Sequence, residues 1–392
     1  MKYKISRASL TAFAVVALLP LTACSQSHRG EVPEGLDEPS VEEADAAVTA
    51  SRTNAIVIAA AKCSPAVVTV DTVQTMRRVV NPFGLLSQDF FRDFNSMWPP
   101  FGEYEEEVPM MGSGFIFDPD GYILTAEHVI HGADTISVTL ADNRTFPAEW
   151  VGSDYENDVA VLKIEGSDLP YIKLGDSSDL MIGEWSLAIG NPFGVAGESA
   201  SPTVSVGVIS ALGRQVRSSG EGGFRFYDDL VQTDASINPG NSGGPLVNAL
   251  GEAIGVNATI ITTSGGSLGI GFAVPINVAR ESARGIIKEP TAGQPWIGAY
   301  LVEITPAIAA SFGLPNDDGL IISDIDENAP AYHARLRRGD IILAVNGREV
   351  DDVAGYNDIL SGVTAGSGVQ LKVWRQGQVL DGKVPTETRP GP

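Results

Sequence analysis

Short apolar runs, separated by polar and glycine-containing breaks, recur through most of the chain. The runs are rich in β-branched residues, and the breaks hold Gly, Asp, Asn and Pro, which favour turns. Regular short strands with turn signals are typical of β-barrels, so the fold is predicted to be mostly β. The predicted strands are residues 67–73, 114–117, 136–140, 159–164, 204–212 and 253–261.

Two other segments predict helices. Residues 41–62 are rich in alanine and contain few helix breakers, and residues 275–288 predict a helix that closes the β domain. Residues 25 to about 40 are polar, with Pro33, Pro39 and several acids, which is typical of a flexible tether.

The first 24 residues have the composition of an export signal. Residues 1–7 are basic, residues 8–21 form an apolar run, and Thr22, Ala23 and Cys24 follow it. The cut site resembles a bacterial lipobox, which implies that Cys24 is diacylated and becomes the N-terminus of a membrane-anchored, extracytoplasmic lipoprotein. The alternative is an uncleaved signal anchor. The apolar run is shorter than the ~20 residues of a spanning helix, and a proline interrupts it.

Composition excludes one class of partner. The chain has 392 residues, enough for about two or three domains of ordinary size. Its 26 basic and 49 acidic residues give a formal charge of -23. Because no Lys/Arg cluster is large enough to form a phosphate-binding face, nucleic acid is not expected as a partner.

One glycine- and proline-rich segment carries the candidate chemistry. Residues 238–245, Asn-Pro-Gly-Asn-Ser-Gly-Gly-Pro, place Ser242 among five glycine and proline residues. A serine hydroxyl attacks a carbonyl only where backbone N–H groups point at the developing oxyanion, and glycines allow the tight turn that this requires. Ser242 is therefore the candidate nucleophile of a trypsin-like serine protease, with the N–H groups of Gly240 and Ser242 as its oxyanion hole.

A serine nucleophile needs a base, and the chain contains four histidines. His28 lies in the polar N-terminal stretch and His333 in a later, separate module, which leaves His128 and His131. His128 follows a turn and a short apolar run, so its imidazole is expected at a strand end. His131 lies beside a glycine and is predicted to be at the surface. His128 is therefore the predicted general base.

The carboxylate that orients the base is expected at the start of another strand. Asp158 directly precedes the β-branched run 159–164 and meets this expectation. The order His128, Asp158, Ser242 matches chymotrypsin-type double barrels and differs from the orders of subtilisin and of the α/β-hydrolases. In this scheme the serine attacks the peptide carbonyl, the histidine transfers its proton to the leaving amine, and the aspartate orients and stabilises the imidazole.

Four separated segments, residues 112–115, 188–194, 233–246 and 269–277, together resemble the motifs of the HtrA/DegP family of extracytoplasmic serine proteases. The resemblance runs from about Ile56 to the end of the chain. It implies a chymotrypsin-like double β-barrel protease domain followed by an α+β PDZ domain. One departure is the sequence Thr-Ala-Glu-His at 125–128, where the family usually has asparagine after the threonine, and where Glu127 adds a carboxylate next to the candidate base. This carboxylate is expected either to act on the neighbouring imidazole or to face solvent.

Asn241 precedes the candidate nucleophile, where secreted trypsins have an aspartate that pairs with a newly freed N-terminus. Because asparagine cannot form that ion pair, activation by N-terminal insertion is not expected. The resemblance implies instead an oxyanion loop that becomes ordered when neighbouring loops, or a peptide on the C-terminal domain, hold it in place.

Residues 76–111 hold a group of phenylalanine and tryptophan residues in an otherwise loop-like stretch. They are Phe83, Phe90, Phe91, Phe94, Trp98 and Phe101. Two interpretations stay open. The stretch is either a mobile insertion with its own small hydrophobic cluster, or the counterpart of a regulatory loop of the family, whose aromatic residues help to form a homotrimer.

Residues 296 to about 384 form a second module. The segments 296–301, 319–325, 328–331 and 338–347 resemble an HtrA-type PDZ domain. Such domains bind a peptide C-terminus as an added strand, which implies that the N–H groups of Ile297, Gly298 and Ala299 hold the carboxylate. Hydrophobic C-terminal peptides are the expected partners, and the alternative is a domain that only packs against the protease. Arg335 replaces a glycine that is common in the family at this turn.

No cofactor and no metal ion are expected. His128 and His131 form an H-x-x-H pair, but no further ligands accompany them. Residues 118–121, Asp-Pro-Asp-Gly, are explained more simply by a tight hairpin turn than by a calcium site. Besides Cys24 the chain has one cysteine, Cys63, which precedes a β-run and is expected to be a packed thiol.

The predicted organisation is a signal peptide over 1–24, a tether with the start of a helix over 25–54, a trypsin-like protease domain over 55–290 and a PDZ domain over 295–386. The predicted function is ATP-independent proteolysis of unfolded or damaged proteins in the cell envelope, regulated by the PDZ domain. Two alternatives remain: a non-catalytic chaperone or adaptor of the same fold, and a narrow signalling protease that cuts one membrane regulator.

Overall fold

The computed structural model describes residues 41–79, 103–191, 201–220, 223–258, 269–312, 314, 316–389 and 391. The predicted signal peptide, its Cys24 and the polar stretch up to residue 40 lie outside these described residues. Among the described helices, none is both long enough and apolar enough to cross a bilayer.

The N-terminal helical segment consists of two helices, α1 Val41–Arg52 and α2 Ala55–Cys63, and not of the single helix predicted over 41–62. The cause is Asn54, whose extended backbone begins α2 and whose side chain accepts a hydrogen bond from the N–H of Val57 at 3.0 Å. Asparagine is among the preferred N-cap residues, so it favours a new helix start at this position. A 3₁₀ turn, Ser64–Ala66, leads from α2 into the first strand.

A seven-stranded antiparallel sheet follows, with the short helix α3 Glu127–Ile130 after its third strand. Its strands are β1 Val67–Val79, β2 Glu103–Ile116, β3 Tyr122–Thr125, β4 Thr135–Leu140, β5 Thr145–Pro147, β6 Glu149–Asp154 and β7 Val159–Lys163. They pair in the order β5-β4-β1-β2-β3-β7-β6. The tight turn predicted before β3 is present, since the N–H of Gly121 donates to the carbonyl oxygen of Asp118 at 3.0 Å.

β1 and β2 are longer than the sequence indicated. They remain paired from Val67 opposite Phe115 to Val79 opposite Glu103. The segment 76–111, expected to be loop-like, therefore begins and ends in strand. The five phenylalanine residues and the tryptophan named for that segment lie outside the described residues.

The second half of the protease region is a closed barrel. Its strands are β8 Trp185–Gly190, β9 Thr203–Gly220, β10 Gly223–Thr233, β11 Pro245–Val247, β12 Ala253–Ala258 and β13 Gly271–Pro275. They pair in the order β10-β13-β12-β11-β8-β9. The helix predicted at the end of the domain is present as α4 Ile276–Lys288, and it packs on β6, β7 and β12. This helix therefore touches both halves of the protease region.

One hydrophobic core spans the two halves. Phe115 and Leu124 of the first sheet and Leu187, Ile189 and Val256 of the barrel belong to the same buried cluster. Burial of apolar surface on this scale is the main force that holds two barrels together. Ser242 and His128 lie along the line where the two halves meet, so the shared core determines their relative position.

The C-terminal domain contains a six-stranded sheet, a two-stranded sheet and three helices. Its strands are β14 Pro295–Trp296, β15 Ala299–Glu303, β16 Leu320–Ile325, β17 Ile341–Val345, β18 Arg348–Glu349, β19 Val369–Arg375, β20 Gln378–Val384 and β21 Glu387–Thr388. Its helices are α5 Pro306–Phe312, α6 Pro330–His333 and α7 Val353–Ser361. β14 pairs with β21, and the larger sheet has the order β15-β16-β17-β19-β20, with β18 on β17. Arg335, at the position of the family's glycine, has φ +62°.

A second apolar cluster joins the protease region to the C-terminal domain. Phe224 and Phe226 of β10 contact Phe312 of α5, with ring centroids 5.1 and 6.2 Å apart. Tyr155 and Ile321 belong to the same cluster. The fold class predicted from the sequence, a mostly β trypsin-like protease domain followed by a PDZ domain, is confirmed.

Candidate active site

His128 and Asp158 come from the ends of two paired strands. β3 and β7 are antiparallel neighbours, with Thr125 opposite Ala160, so residues that follow β3 meet residues that precede β7. The Nδ1 atom of His128 lies 2.7 Å from Oδ2 of Asp158, and the backbone N–H of His128 donates to Oδ1 at 3.0 Å. The other ring nitrogen, Nε2, therefore faces away from the carboxylate, and the His128 side chain is 36% exposed.

Asp158 is completely buried and has a turn conformation with φ +56°, which aspartate tolerates better than most residues. Its carboxylate also accepts hydrogen bonds from the hydroxyl of Tyr227, at 2.9 Å, and from Nη1 of Arg225. Burial acts to raise the pKa of Asp158, but the charge of Arg225 and the bonds from His128 outweigh it and hold the pKa well below its usual range. Asp158 is therefore an anion at neutral pH.

The serine segment is a turn in which Gly240 and Gly243 have left-handed conformations, with φ of +94° and +81°. A Cβ atom on Gly243 would collide with the carbonyl oxygen of Ser113 and with the hydroxyl of Thr125. A glycine at this position thus allows the turn to lie against the end of β3, from which His128 follows. The structure brings the serine turn to the same strand end as the imidazole, and Ser242 itself is 6% exposed.

Ser113 of β2 bonds to the serine turn on both sides of the candidate nucleophile. Its backbone N–H donates to the carbonyl oxygen of Ser242 at 2.8 Å, and its hydroxyl donates to the carbonyl oxygen of Gly240. From the other barrel, the carbonyl oxygen of Asn257 in β12 accepts a hydrogen bond from the N–H of Gly243 at 2.8 Å. Both halves of the protease region therefore hold this turn.

Glu127 does not face solvent, so that alternative is wrong. Its side chain is fully buried, with Oε1 2.7 Å from Nδ1 of His131 and Oε2 paired with Nη2 of Arg225. Burial acts to raise the pKa of Glu127, but the charges of Arg225 and His131 outweigh it and lower the pKa. Glu127 is therefore an ionised group in the interior, one residue from His128.

His131 is not a surface residue, and the prediction for it is wrong. Its side chain is 24% exposed and packs against the rings of Tyr155 and Tyr300, with centroids 6.1 and 4.7 Å away. Burial acts to lower the pKa of His131, but the carboxylate of Glu127 prevails and raises it. A glycine next in sequence suggested exposure, whereas the two tyrosines that cover the ring come from distant segments.

Sequence analysis assigned no role to three residues of the site: Arg225, Tyr227 and Ser113, the last of which lies in the segment 112–115 that carries the resemblance. A signal exists for two of them. Phe-Arg-Phe-Tyr at 224–227 alternates along β10, so that Arg225 and Tyr227 share one strand face. An arginine inside a strand of aromatic residues is a candidate for burial beside a carboxylate, because a buried charge needs a partner.

The predicted carboxylate-binding segment of the PDZ domain lies between β14 and β15. The side chain of Ile297 is fully buried, and Gly298 has φ +85°, with no room for a side chain because a Cβ atom would collide with that of Ala329. The carbonyl oxygen of Gly298 accepts a hydrogen bond from the N–H of Asp326 at 3.0 Å. Ala299 begins β15, which lies at one edge of the described sheet.

In the H-x-x-H pair, each Nδ1 atom faces a carboxylate, that of Asp158 for His128 and that of Glu127 for His131. Within the described ranges, no group of three or more His, Cys, Asp or Glu side chains is placed to hold a metal ion. The carboxylates around the two imidazoles are accounted for by hydrogen bonds to the protein.

The arrangement defines a class of protein. In a two-barrel fold, a buried carboxylate holds an imidazole, and a glycine-rich serine turn packs against the strand that carries that imidazole. Trypsin-like proteases arrange their reactive groups in this way. The chain is a serine endopeptidase.

Comparison with known proteins identifies the family. Residues 112–256 match the family model for a trypsin-like peptidase domain, and residues 295–386 match that for a PDZ domain. A probable periplasmic serine endoprotease DegP-like from Halomonas elongata is 39% identical over 329 residues, which cover 81% of this chain and 67% of the relative. A protein of the same description from Pseudomonas fluorescens is 38% identical over 344 residues, which cover 84% of this chain and 70% of the relative.

A solved structure agrees with these relatives. It is a variant of the HtrA-type protease AlgW with a decapeptide, 36% identical in sequence, with a TM-score of 0.51 and coverage of 86% of this chain and 98% of its own. The chain belongs to the HtrA family of DegP-like serine endoproteases. Both relatives are described as probable periplasmic proteins.

Proposed function

We propose that Ser242, His128 and Asp158 form the catalytic triad of this endopeptidase. Ser242 attacks the peptide carbonyl, His128 takes its proton on Nε2 and returns it to the leaving amine, and Asp158 stabilises the imidazolium. The hydrogen bond between Nδ1 of His128 and the buried carboxylate of Asp158 carries this proposal, because it fixes the orientation of the ring. The N–H groups of Gly240 and Ser242 serve as the oxyanion hole.

Labelling by a fluorophosphonate probe and cleavage of a casein-like unfolded substrate test the triad. Ser242→Ala is expected to abolish both signals and to leave the thermal unfolding curve unchanged. Ser178→Ala is the matched control, because this exposed serine bonds only to Asp176 through its side chain among the contacts of the described residues. Full activity in Ser242→Ala would overturn the assignment.

The proposed substrates are unfolded or damaged proteins of the cell envelope, cleaved without ATP. The relatives are named DegP-like endoproteases, and the related AlgW structure holds a decapeptide. Cleavage of a casein-like substrate at a substantial rate supports this broad role. If the enzyme cleaves no unfolded substrate but cleaves one membrane protein, the result would favour the narrow signalling protease. The non-catalytic adaptor is not favoured by the paired His128 and Asp158.

The PDZ domain is proposed to bind hydrophobic C-terminal peptides, with the N–H groups of Ile297, Gly298 and Ala299 on the peptide carboxylate. Two features support this role: β15 lies at a sheet edge among the described strands, and Gly298 takes a conformation that turns the chain just before it. The rate of casein cleavage with and without such peptides is the test. Peptides that neither bind nor change the rate would favour a domain that only packs against the protease.

Two further proposals rest on the sequence of the N-terminal region. Cys24 carries the lipid that anchors the enzyme to a membrane, and the enzyme is a homotrimer. Cys24→Ser is expected to release the protein from membranes, and unchanged membrane association would favour a signal anchor. Sedimentation at the mass of a single protomer would remove the trimer proposal.

A further inference from the structure

Arg225 lies between two buried carboxylates in the described part of the chain. Its Nη1 atom bonds to Oδ1 of Asp158 and its Nη2 atom to Oε2 of Glu127. The Arg225 side chain is 9% exposed, and both carboxylate side chains are 0% exposed. Charges so far from water act on one another much more strongly than surface charges do, and removal of one leaves the others uncompensated.

Two further contacts fix the orientation of the guanidinium, one with Arg225 itself and one with its partner Glu127. Its central carbon lies 4.2 Å from the centroid of the Tyr155 ring, a cation–π contact. The second oxygen of Glu127 bonds to His131, so Glu127 is held as well. An arginine with both end nitrogens bonded and its face covered cannot turn away from Asp158 without breaking several contacts at once.

The two bonds on Asp158 have different consequences. Oδ1 accepts from Arg225 and from the N–H of His128, and Oδ2 accepts from the imidazole and from Tyr227. Arg225 therefore fixes which oxygen faces the imidazole. A guanidinium on its own would also neutralise Asp158 and weaken the attraction between that carboxylate and the imidazolium formed during the reaction. Glu127 prevents this, because one positive and two negative charges leave the group with a net negative charge.

We propose that Arg225 and Glu127 are positioning residues for the proteolytic reaction: Arg225 fixes the carboxylate of Asp158 toward His128, and Glu127 holds Arg225 and balances its charge. This inference rests on the proposed triad. The lowered pKa of Asp158 agrees with this arrangement, in which burial opposes ionisation and Arg225 favours it.

Several ionisable groups surround this cluster and bear on any pH measurement. Within the protease region they are His128 on α3, His131 directly after it, Tyr155 before β7 and Tyr227 on β10. From the C-terminal domain, Asp324 lies 4.0 Å from Nε2 of His131, and it is paired with Arg338. Asp324 acts on His131 and on Tyr155, whereas Asp158 contacts the imidazole of the proposed base directly and Arg225 contacts Asp158.

The test compares Glu127→Gln, Arg225→Gln and the double variant in the full-length enzyme. The measurements are kcat and KM on a fluorogenic peptide, and kcat/KM against pH, whose acidic limb reports the base of the free enzyme. Glu127→Gln is expected to lower kcat about tenfold and to move the acidic limb down by about one pH unit, because the imidazolium loses net negative surroundings. Arg225→Gln is expected to lower kcat about a hundredfold, since two unpaired carboxylates remain and Asp158 is no longer held.

Charge balance gives the decisive comparison. In the double variant the lone Asp158 carries one negative charge between neutral partners, so kcat is expected to recover about tenfold relative to Arg225→Gln. Arg225→Lys keeps the positive charge but cannot bond to Asp158 and Glu127 through two separate nitrogens. This variant replaces Arg225→Gln in the comparison if Arg225→Gln does not fold. It is expected to lower kcat at unchanged KM. Glu252→Gln and Arg144→Gln are the matched controls. Glu252 forms an ion pair with Lys173, and Arg144 forms one with Asp142, and both ion pairs lie outside the site.

Two results would overturn the proposal. The first is that Glu127→Gln and Arg225→Lys both have the same kcat as the wild type and the same acidic limb in the pH profile of kcat/KM. The second is that the activity of the variants falls only in proportion to their folded fraction. The pH profile would then be unchanged, and the double variant would show no recovery of kcat. Failure of the triad itself appears differently, as activity or fluorophosphonate labelling that survives Ser242→Ala.

Discussion

The imidazole of His131 and the phenol ring of Tyr300 lie 4.7 Å apart, centroid to centroid. His131 follows the helix that carries His128, whereas Tyr300 belongs to β15, the edge strand of the C-terminal domain. Tyr155 stacks on the same tyrosine at 4.8 Å and also covers Arg225. The contact between the two domains is therefore only a few side chains from the charges around Asp158.

This contact predicts a pH-dependent stability. The groups that face His131 are Glu127 on its own helix, Arg225 on β10, Asp324 on β16, and two tyrosines. Their net effect raises its pKa in the folded state. A histidine with a raised folded pKa contributes stability that is fully present below the unfolded value of 6.5 and is lost as the pH rises through the folded value.

His131→Asn should therefore lower the free energy of unfolding more at about pH 5.5 than at about pH 9. Denaturant unfolding of both proteins at the two pH values measures the difference. In this window Glu127 and Asp158 stay ionised, because their pKa values are lowered, and they add no slope of their own. His333→Asn is the control. A destabilisation by His131→Asn that is equal at both pH values would contradict the prediction.

Asp158→Asn is expected to lower kcat by about 10⁴, because an amide cannot hold the imidazole in the required tautomer or stabilise its cation. The measurement is kcat on the fluorogenic peptide, with the folded fraction determined by circular dichroism. Asp142→Asn changes an exposed carboxylate that pairs with Arg144 and serves as the control. A loss smaller than about tenfold in Asp158→Asn would show that another group orients the base.

Gly298→Ala tests the segment proposed to bind the peptide carboxylate. Its φ of +85° disfavours any side chain, and a Cβ atom would also collide with Ala329. The variant should lower the stability of the PDZ domain by about 2 kcal/mol or more and weaken peptide binding. Gly377→Ala is the matched control, since Gly377 has φ +84° with nothing near the added atom. It should cost only about 1 kcal/mol. Equal effects of the two substitutions would show that the collision is relieved at no cost.

Cys63 should resist thiol reagents in the folded enzyme. It is 1% exposed, and burial raises its pKa to about 11, against a small opposing effect of Lys62. In a Cys24→Ser background it is the one remaining cysteine of the chain. Iodoacetamide should label it only after addition of denaturant. Rapid labelling of the native protein would mean that α2 opens readily from the core.

The strand pattern is a local property, and the sequence predicted the mostly β fold from it. Asp158 was found because an acid directly before a β-branched run marks a strand start. His131 was misplaced because its exposure depends on Tyr155 and Tyr300, which approach only after the chain has folded. The break at Asn54 shows a different limit: a single N-cap side chain competes with helix propensity, and composition alone does not reveal which prevails.

Glu127 illustrates why the charge cluster could not be predicted. Its partner Arg225 is on another barrel, and no spacing in the sequence links them. Only the neighbouring alternation on β10 hints that an arginine points inward there. An acidic side chain beside a candidate base is buried only where a positively charged partner lies near it in the folded structure. The tertiary structure alone determines whether such a partner is present.

Ser113 connects the two halves of the protease region through the carbonyl oxygens of Gly240 and of Ser242 itself, and Asn257 accepts from the N–H of Gly243 on the other side. A relative displacement of the two halves would therefore act on this turn. The amide hydrogen of Gly243, which donates to Asn257, is expected to exchange with solvent as slowly as those of the barrel interior. The turn of the proposed nucleophile is thus tied to both halves of the protease region through three main-chain carbonyl oxygens, acceptors that no side-chain substitution removes.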